Sequence, residues 1–549
     1  MTFSIANFNF KETLNKVDWK LLLFLVLFLD VKIAVKIVAV ILIYLLQFNF
    51  KLGFSIKNSR LPLFYLLIIA IAFIDLFINK SYGNPYYYLV FFIGIGFWLL
   101  CILAIHQVKL SVESNDTETI HRTILVFFVI NTILSFYNIA HIMWETGTIN
   151  PYRYQGQYQK YFIGTGDYIK GLTFDTSTTN AILNAFGVIY FLTKKNPAMV
   201  LICMAVLLLT GSNFVNIILL LILALLFVFK STRNQKSIIV ICLAFLVIFM
   251  AKVSPQNDKY VAETIQNALH PKKQPTVTAV AITKISDSIT GPEAVKRRIA
   301  IRYLDSLRYI IDKKKLLKLN PALVHLPKTN EGRILVPIPD INTLSYQSRI
   351  DTTAEQTRLL AFIHLYKWKL PISGQQDFKF GLPGKVSALL QTVAFFQLHP
   401  AKIIAGDGMG NFSSKLAFRA TGLSFAGGYP AGQAFINNDF FSNHLDLYLN
   451  YFSRRSGLHS LTNSPYSVYD QMLTEYGVLG LIAFALYYLW FFGKHYKRLT
   501  YGIPLLLLIM AIFFIDYWFE QLSVLVFFEL MLLLNIKETS HLKPVIYAR

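Results

Sequence analysis

Apolar runs recur along almost the whole of this chain, and they constrain its fold more than any other feature. A hydrocarbon core of about 30 Å takes about 20 apolar helical residues to cross, and no backbone N–H or C=O is left unpaired inside it. Repeated runs therefore dictate helices. They place spans near 19–30, 31–49, 61–79, 86–106, 120–142, 178–193, 196–212, 214–230, 237–252, 469–492, 501–518 and 520–536. Hydrophobic residues form 55% of the 549 and aromatic residues 15%, well beyond a soluble domain of this length. The expectation is an all-α polytopic membrane protein of about twelve transmembrane helices. Asp30, Lys32 and Lys36 interrupt the first two runs, so one tilted helix or an interfacial hairpin fits there as well.

Charge supplies the orientation. With twelve spans, Lys11, Lys16 and Lys20, then Lys51, Lys57 and Arg60, then Lys194 and Lys195, then Lys230, Arg233 and Lys236, then Lys494, Lys497 and Arg498 all fall on one side. Short cytoplasmic loops collect Lys and Arg in this way, which puts both termini in the cytoplasm. The turn between the last two spans carries Asp516 and Glu520 without Lys or Arg, and belongs outside. The chain then divides into spans one to nine (1–252), a large extracytoplasmic loop (253–468), and spans ten to twelve with a cytoplasmic tail (469–549). The N-terminal stretch lacks a small-residue cleavage site and is expected to stay on the protein. Cys101, Cys203 and Cys242 sit in apolar runs, where neither a disulfide nor a metal site is expected.

The net charge of +22 is met first by cytoplasmic Lys and Arg, so nucleic acid is not an expected partner. The outer loop is also basic, with twenty-six Lys/Arg against fourteen Asp/Glu over 253–468. Within it, 292–318 has the spacing of an amphipathic helix suited to anionic headgroups, or of a solvated helix in a small subdomain. Residues 320–345 read as irregular, and a second amphipathic run over 384–400 leads into a glycine-rich turn.

Two stretches resemble the O-antigen ligase family of membrane glycosyltransferases, which includes O-antigen polymerases and protein O-oligosaccharyltransferases. In 384–412, Gly384 and Lys385, His399 and Pro400, and Gly406, Gly408, Gly410, Asn411 and Phe412 follow that family's order. In 463–492, Glu475, Gly477 and Gly480 match the approach to its tenth helix. Twelve spans with a long loop after the ninth agree with the same plan. The family usually carries an Arg before the eighth helix, an Arg in the loop and a His before the tenth; here Asn213, Lys385 and Tyr466 stand in those places, and only Lys385 keeps the charge.

The resemblance implies transfer of a glycan from undecaprenyl pyrophosphate to an acceptor hydroxyl at the periplasmic face of a bacterial inner membrane. It implies no cofactor and no metal, the lipid-linked glycan being the donor substrate, and no DxD-type metal motif is evident. The leaving pyrophosphate must be met by cations. Candidates are Lys385 and Arg419, with Arg454 and Arg455 for substrate binding, although a snorkelling lysine and headgroup-facing arginines fit the same residues. His444 or His459 suits proton transfer, with Asp439, Asp446 and Asp470 as rivals. Asn213, Tyr466, Gly408 and Gly410 are further substrate-contact candidates, and a plain turn is the simpler account of the glycines. Glu475, costly in apolar surroundings, calls for a partner such as Lys385 or an Arg that would hold the loop on the bundle. Tyr152, Tyr154, Tyr158 and Tyr161 suit sugar stacking or, more simply, the membrane interface.

A lipid A-core sugar is the first-choice acceptor; a glycan repeat unit or a protein Ser/Thr remains open. From another class, a non-catalytic protein that binds lipid-linked glycan or scaffolds the envelope also fits, since two of the three usual ionisable groups are replaced. A transporter would call for two related halves, and no such symmetry is visible.

Overall fold

The computed structural model describes residues 16–47, 63–153, 166–254, 384–421, 464–491 and 499–540, with isolated positions at 266, 429–430, 433–437, 439–440, 444, 447, 496 and 498. Among the described residues every regular element is helical. The helices are α1 (Trp19–Phe28), α2 (Ile33–Gln47), α3 (Leu63–Ile78), α4 (Pro85–Ser114), α5 (Thr117–Thr146), α6 (Ser177–Thr193), α7 (Pro197–Leu209), α8 (Asn213–Phe229) and α9 (Arg233–Ile248). After them come α10 (Gly384–Leu398), α11 (Lys402–Ala405), α12 (Lys415–Ala420), α13 (Val468–Phe484), α14 (Gly502–Ile512), α15 (Trp518–Gln521) and α16 (Ser523–Ser540).

Each of the twelve apolar runs falls on its own helix: α1 to α9, α13, α14 and α16. Among the described residues four helical stretches are long and apolar enough to cross a membrane: Pro85–Ser114, Thr117–Thr146, Arg233–Val253 and Val468–Trp490. The others are shorter. The ten residues of α1 rise only about 15 Å, half of a hydrocarbon core. The described residues are thus all-helical and of a membrane-embedded character, with fewer full-length crossing helices among them than the twelve expected.

Local signals explain where the helices begin. Asn84 accepts from the Tyr86 N–H ahead of Pro85, Asn196 caps α7 ahead of Pro197, and Thr232 with Gln235 forms a reciprocal cap on α9. Asp30 does end the first run, and α1 and α2 are separate helices packed on one another, not one tilted helix. The Asp30 carboxylate accepts from the Lys32 N–H at 2.7 Å, while the Val31 N–H donates to the Thr173 carbonyl at 2.9 Å. Lys36, 1% exposed, donates to the Phe28 carbonyl at 2.8 Å and the Ser523 hydroxyl at 2.5 Å. It closes the end of α1 and ties it to α16.

Aromatic rings fill the core between α3, α4, α13 and α15. Phe64 meets Trp98 and Phe484 edge-on, Trp98 donates to the Tyr476 hydroxyl at 3.0 Å, and Tyr65 shares a 2.7 Å bond with Tyr488. The three cysteines are buried and free. Tyr152 is also buried: its ring lies edge-on to Phe249 and its hydroxyl donates to the Leu209 carbonyl, so it anchors packing and offers no stacking face. Tyr154, Tyr158 and Tyr161 lie outside the described residues, as do the 292–318 run and the 320–345 segment.

The chain between α5 and α6 is sutured down by asparagines. Asn138 Oδ1 accepts from the Lys170 and Gly171 N–H groups, and Asn131 Oδ1 from Leu172. Asn180 accepts from Asn131 at 2.9 Å and donates to Ser135 at 3.0 Å and to the Ile169 carbonyl at 3.1 Å. Gly171, at φ +55, is required there, because a Cβ would come within 2.4 Å of Asn131 Oδ1. Leucine at position 180 fills similar space but strands the Asn131 amide and the Ile169 carbonyl. Asn180→Leu is expected to cost about 2–4 kcal/mol. A lowered unfolding temperature of the detergent-purified protein checks this, and an unchanged one refutes the suture.

Candidate functional site

Residues 400–421 lie directly on the start of α13, with two backbones in contact. Gly406 has φ +89, and a Cβ there would come within 2.5 Å of the Glu475 carbonyl carbon; Gly477 has φ +64, and a Cβ would come within 2.3 Å of the Ile404 carbonyl oxygen. Only glycine permits both the left-handed backbone and the approach. Gly408 and Gly410 continue the turn at φ +93 and +74.

This turn wraps around Glu475, which is fully buried. One carboxylate oxygen accepts from the Gly410 N–H at 2.8 Å; the other accepts from Phe412 at 3.2 Å, Ser413 at 3.1 Å and Ser414 at 2.9 Å. The Asp407 and Gly408 N–H groups donate to the Thr474 and Glu475 carbonyls. Glu475 does hold the loop on the bundle, but its partners are four backbone N–H groups where a lysine or arginine was expected. A successive run of such groups forms a concave nest for an anion, and here the protein supplies its own anion. Gly408 and Gly410 therefore shape a clamp, and the amides from 407 to 414 that face Glu475 are not open to phosphate.

The imidazole and aspartate candidates are structural ties. His444 is fully buried, with Nε2 2.8 Å from Asp470 Oδ2 and its ring against Phe412. Asp470 also accepts from the Thr392 hydroxyl at 2.6 Å, joining α10, α13 and the loop. Asp439 pairs with Lys402 at 2.6 Å, and Lys402 also binds the buried Asp407. His444 is thus no exposed base: burial that completes the Asp470 tie removes it from solvent. His459, Arg454, Arg455 and Asp446 lie outside the described residues.

Beside the clamp, side chains from several elements meet around the 513–517 turn. Lys385, on the first turn of α10, donates to the carbonyls of Ser464 (2.9 Å) and Tyr466, and so fixes the chain entering α13. The Tyr466 ring meets Tyr517 edge-on at 5.1 Å, and Lys415 Nζ sits 3.5 Å from the centre of the Tyr517 ring. Among the described residues the Lys415 ammonium has no hydrogen-bond acceptor, only that π face and the charges around it. Arg419 follows Lys415 by four residues on α12, on the same helix face. Asp516, Asp175 and Glu520 provide the opposing charge, and Asp175 is held by Thr179 at 2.7 Å and Gln521 at 2.9 Å.

The electrostatics follow from partial burial. Burial pulls Lys385 down to about 8 against the pull of Asp516 and Asp470, and it lowers Lys415 against Asp516, Asp175 and Glu520. Burial pushes Asp516 up to about 6, opposed by Lys415 and Lys385 and reinforced by Asp175. Glu520 is pushed up to about 7 by burial and then by the Glu475 charge. Its carboxylate faces Glu475, Gln471 and Ser414 across a cavity of about 10 Å³, room for about one water.

Of the residues expected to act together, Lys385, Arg419 and Tyr466 share this corner. Asn213 opens α8, which packs along α14. Sequence reasoning missed Lys415, Tyr517 and Asp175. The available signal was weak: Lys415 and Arg419 at helical spacing in a basic loop, and an outer turn whose only charges are Asp516 and Glu520.

Glu475→Gln keeps the volume but replaces one acceptor oxygen with a donor facing N–H groups. The clamp should open locally, with amide exchange at 410–414 at least about tenfold faster. Hydrogen exchange read by mass spectrometry tests it, and unchanged protection would mean that the carboxylate does not hold the turn. No family model, curated protein or solved structure matches this chain.

Proposed function

We propose that this protein is a membrane glycosyltransferase of the O-antigen ligase type, moving a glycan from undecaprenyl pyrophosphate to an acceptor hydroxyl on the periplasmic side of a bacterial inner membrane. In this reading the twelve apolar helices all cross, both termini are cytoplasmic, and the clamped corner faces the periplasm. A lipid A-core sugar remains the first-choice acceptor, ahead of a glycan repeat unit or a protein hydroxyl.

The observation that carries the reading is the ammonium of Lys415, which has no hydrogen-bond acceptor among the described residues and stands with Lys385 and Arg419 beside the bundle end. A desolvated cation is costly unless charge arrives to meet it, and a departing pyrophosphate brings such charge. Lys385 has one N–H left after its two carbonyls, which suits orientation more than sole charge neutralisation. Tyr517, half-buried beneath Lys415, adds an aromatic ring to the corner as a sugar-binding surface would, and the buried Tyr466 ring backs it.

A second reading is a non-catalytic lipid-linked-glycan binder or envelope scaffold. The burial of His444 and the tyrosine at position 466 favour it, because no described imidazole reaches the cation corner.

Glycan profiling of envelope material and glycoproteins separates the two. A deletion strain is complemented with wild type, Lys415→Ala or Lys385→Ala at matched membrane levels. Transferase function predicts loss of glycan on one acceptor, rescue by wild type, and a drop of about 10²–10³-fold with Lys415→Ala. Full rescue by both variants removes these lysines from the chemistry, and an unchanged deletion profile sinks the transferase reading in favour of the binder.

A further inference from the structure

We propose that Asp516 is the group that takes the proton from the attacking acceptor hydroxyl. The inference rests on the transfer reading above and assigns the base that neither the expected histidines nor Glu475 supplies. Glu475 is sealed by four N–H groups, His444 is sealed against Asp470 and Phe412, and Asp439 is engaged by Lys402. Among the described carboxylates of this corner, Asp516 is the one on whose charge both lysines act while neither forms a described ion pair with it.

Its geometry supports the role. Asp516 lies in the turn between α14 and α15 with φ +65, a backbone conformation that side-chain-bearing residues adopt rarely and that concentrates at functional sites. Oδ1 accepts from the N–H of Tyr517 at 3.0 Å, which fixes the carboxylate and leaves Oδ2 without a hydrogen bond among the described residues. No described ion pair closes on it, although Lys385 from α10 and Lys415 from α12 both act on its charge. It is half-buried, so the open oxygen has a route to a ligand. Asp175, from the segment before α6, adds like charge; the Tyr466 and Tyr517 rings and Glu520 complete the groups around this corner.

The step balances as follows. The acceptor O–H gives its proton to Asp516 Oδ2 while its oxygen forms a bond to the anomeric carbon. The bond from that carbon to the pyrophosphate oxygen breaks, its electron pair leaves on the pyrophosphate, and the anomeric configuration inverts. Lys415, with Lys385 and Arg419, meets the new negative charge, and the proton on Asp516 passes to water after the product departs. A carboxylate held near 6 is mostly ionised at neutral pH and still basic enough to assist, which suits general-base work. Activity should fall as pH drops through about 6, where Asp516 becomes protonated, and should fall again as pH rises through about 8, where Lys385 loses its charge.

The full-length chain in nanodiscs, given a fluorescent glycan on undecaprenyl pyrophosphate, tests the assignment. Purified lipid A-core, a repeat unit on the same carrier and a Ser/Thr-rich acceptor protein are supplied in parallel. Asp516→Asn suits the left-handed backbone, where asparagine is favoured, and keeps the Tyr517 hydrogen bond. It should lower transfer by about 10²–10⁴-fold, with donor affinity within about twofold of wild type and the limb near pH 6 abolished. Asp516→Glu should restore part of the rate with a displaced acid limb. An Asp516→Asn protein with a wild-type rate and an intact acid limb overturns the proposal, as does one that loses donor affinity in proportion to rate, which marks a structural residue. If wild type transfers glycan to none of the three acceptors, the transfer reading itself fails and the proposal falls with it.

Discussion

The arrangement of the outer end depends on one buried anion and the backbone that encloses it. A lone carboxylate in apolar surroundings costs several kcal/mol, and charge-assisted hydrogen bonds of about 1.5–3 kcal/mol each are what make Glu475 tolerable. The four donors come from Gly410 to Ser414, so the turn can close only with the carboxylate inside it, and the carboxylate can be buried only with the turn closed. Gly406 and Gly477 let the two backbones touch. The clamp then fixes the start of α12, and with it the direction in which Lys415 and Arg419 project.

The cation corner is built on that foundation from elements distant in sequence. Lys385 arrives from α10, Lys415 and Arg419 from α12, Tyr466 from the approach to α13, Tyr517 and Asp516 from the turn after α14, and Asp175 from the sutured chain before α6. Burial moves Lys385, Lys415 and Asp516 toward neutrality, because the effective dielectric is lower than in water, and the opposite charges near them oppose that shift. Lys415 and Asp516 each favour the other's charged form without closing into a described ion pair. A pair already closed would have to be broken by any ligand, whereas an open one can be bridged. The ties through His444–Asp470–Thr392 and Lys402–Asp439 serve instead to keep α10 and the loop in place around the corner.

Much of the bundle was legible in the sequence, for a physical reason. Exclusion of water forces backbone hydrogen bonds to be satisfied locally, so hydropathy marks helices almost directly, and each of twelve runs became one. Lengths were less legible: α1 and α2 stop short around Asp30, where a side-chain turn and a contact with Thr173 replace helical bonds. The glycines were recognisable as a tight turn, and Glu475 as a carboxylate in need of a partner to hold the loop on the bundle, with a lysine or arginine expected in that place. Their chemistry was not, since a sequence shows the carboxylate but not the four converging N–H groups. Lys415 was hidden in a basic loop where one more lysine carries no signal, and Asp516 registered only as evidence of sidedness.

Composition and the spacing of apolar runs determined by themselves that the chain is helical and membrane-embedded, because a bilayer accepts few other solutions for such a sequence. Only the tertiary structure decided which charged side chains stay open. Opening or sealing depends on neighbours brought together from distant parts of the chain, as when α13 and the loop seal Glu475 and His444 while Lys415 and Asp516 are left without a described ion pair.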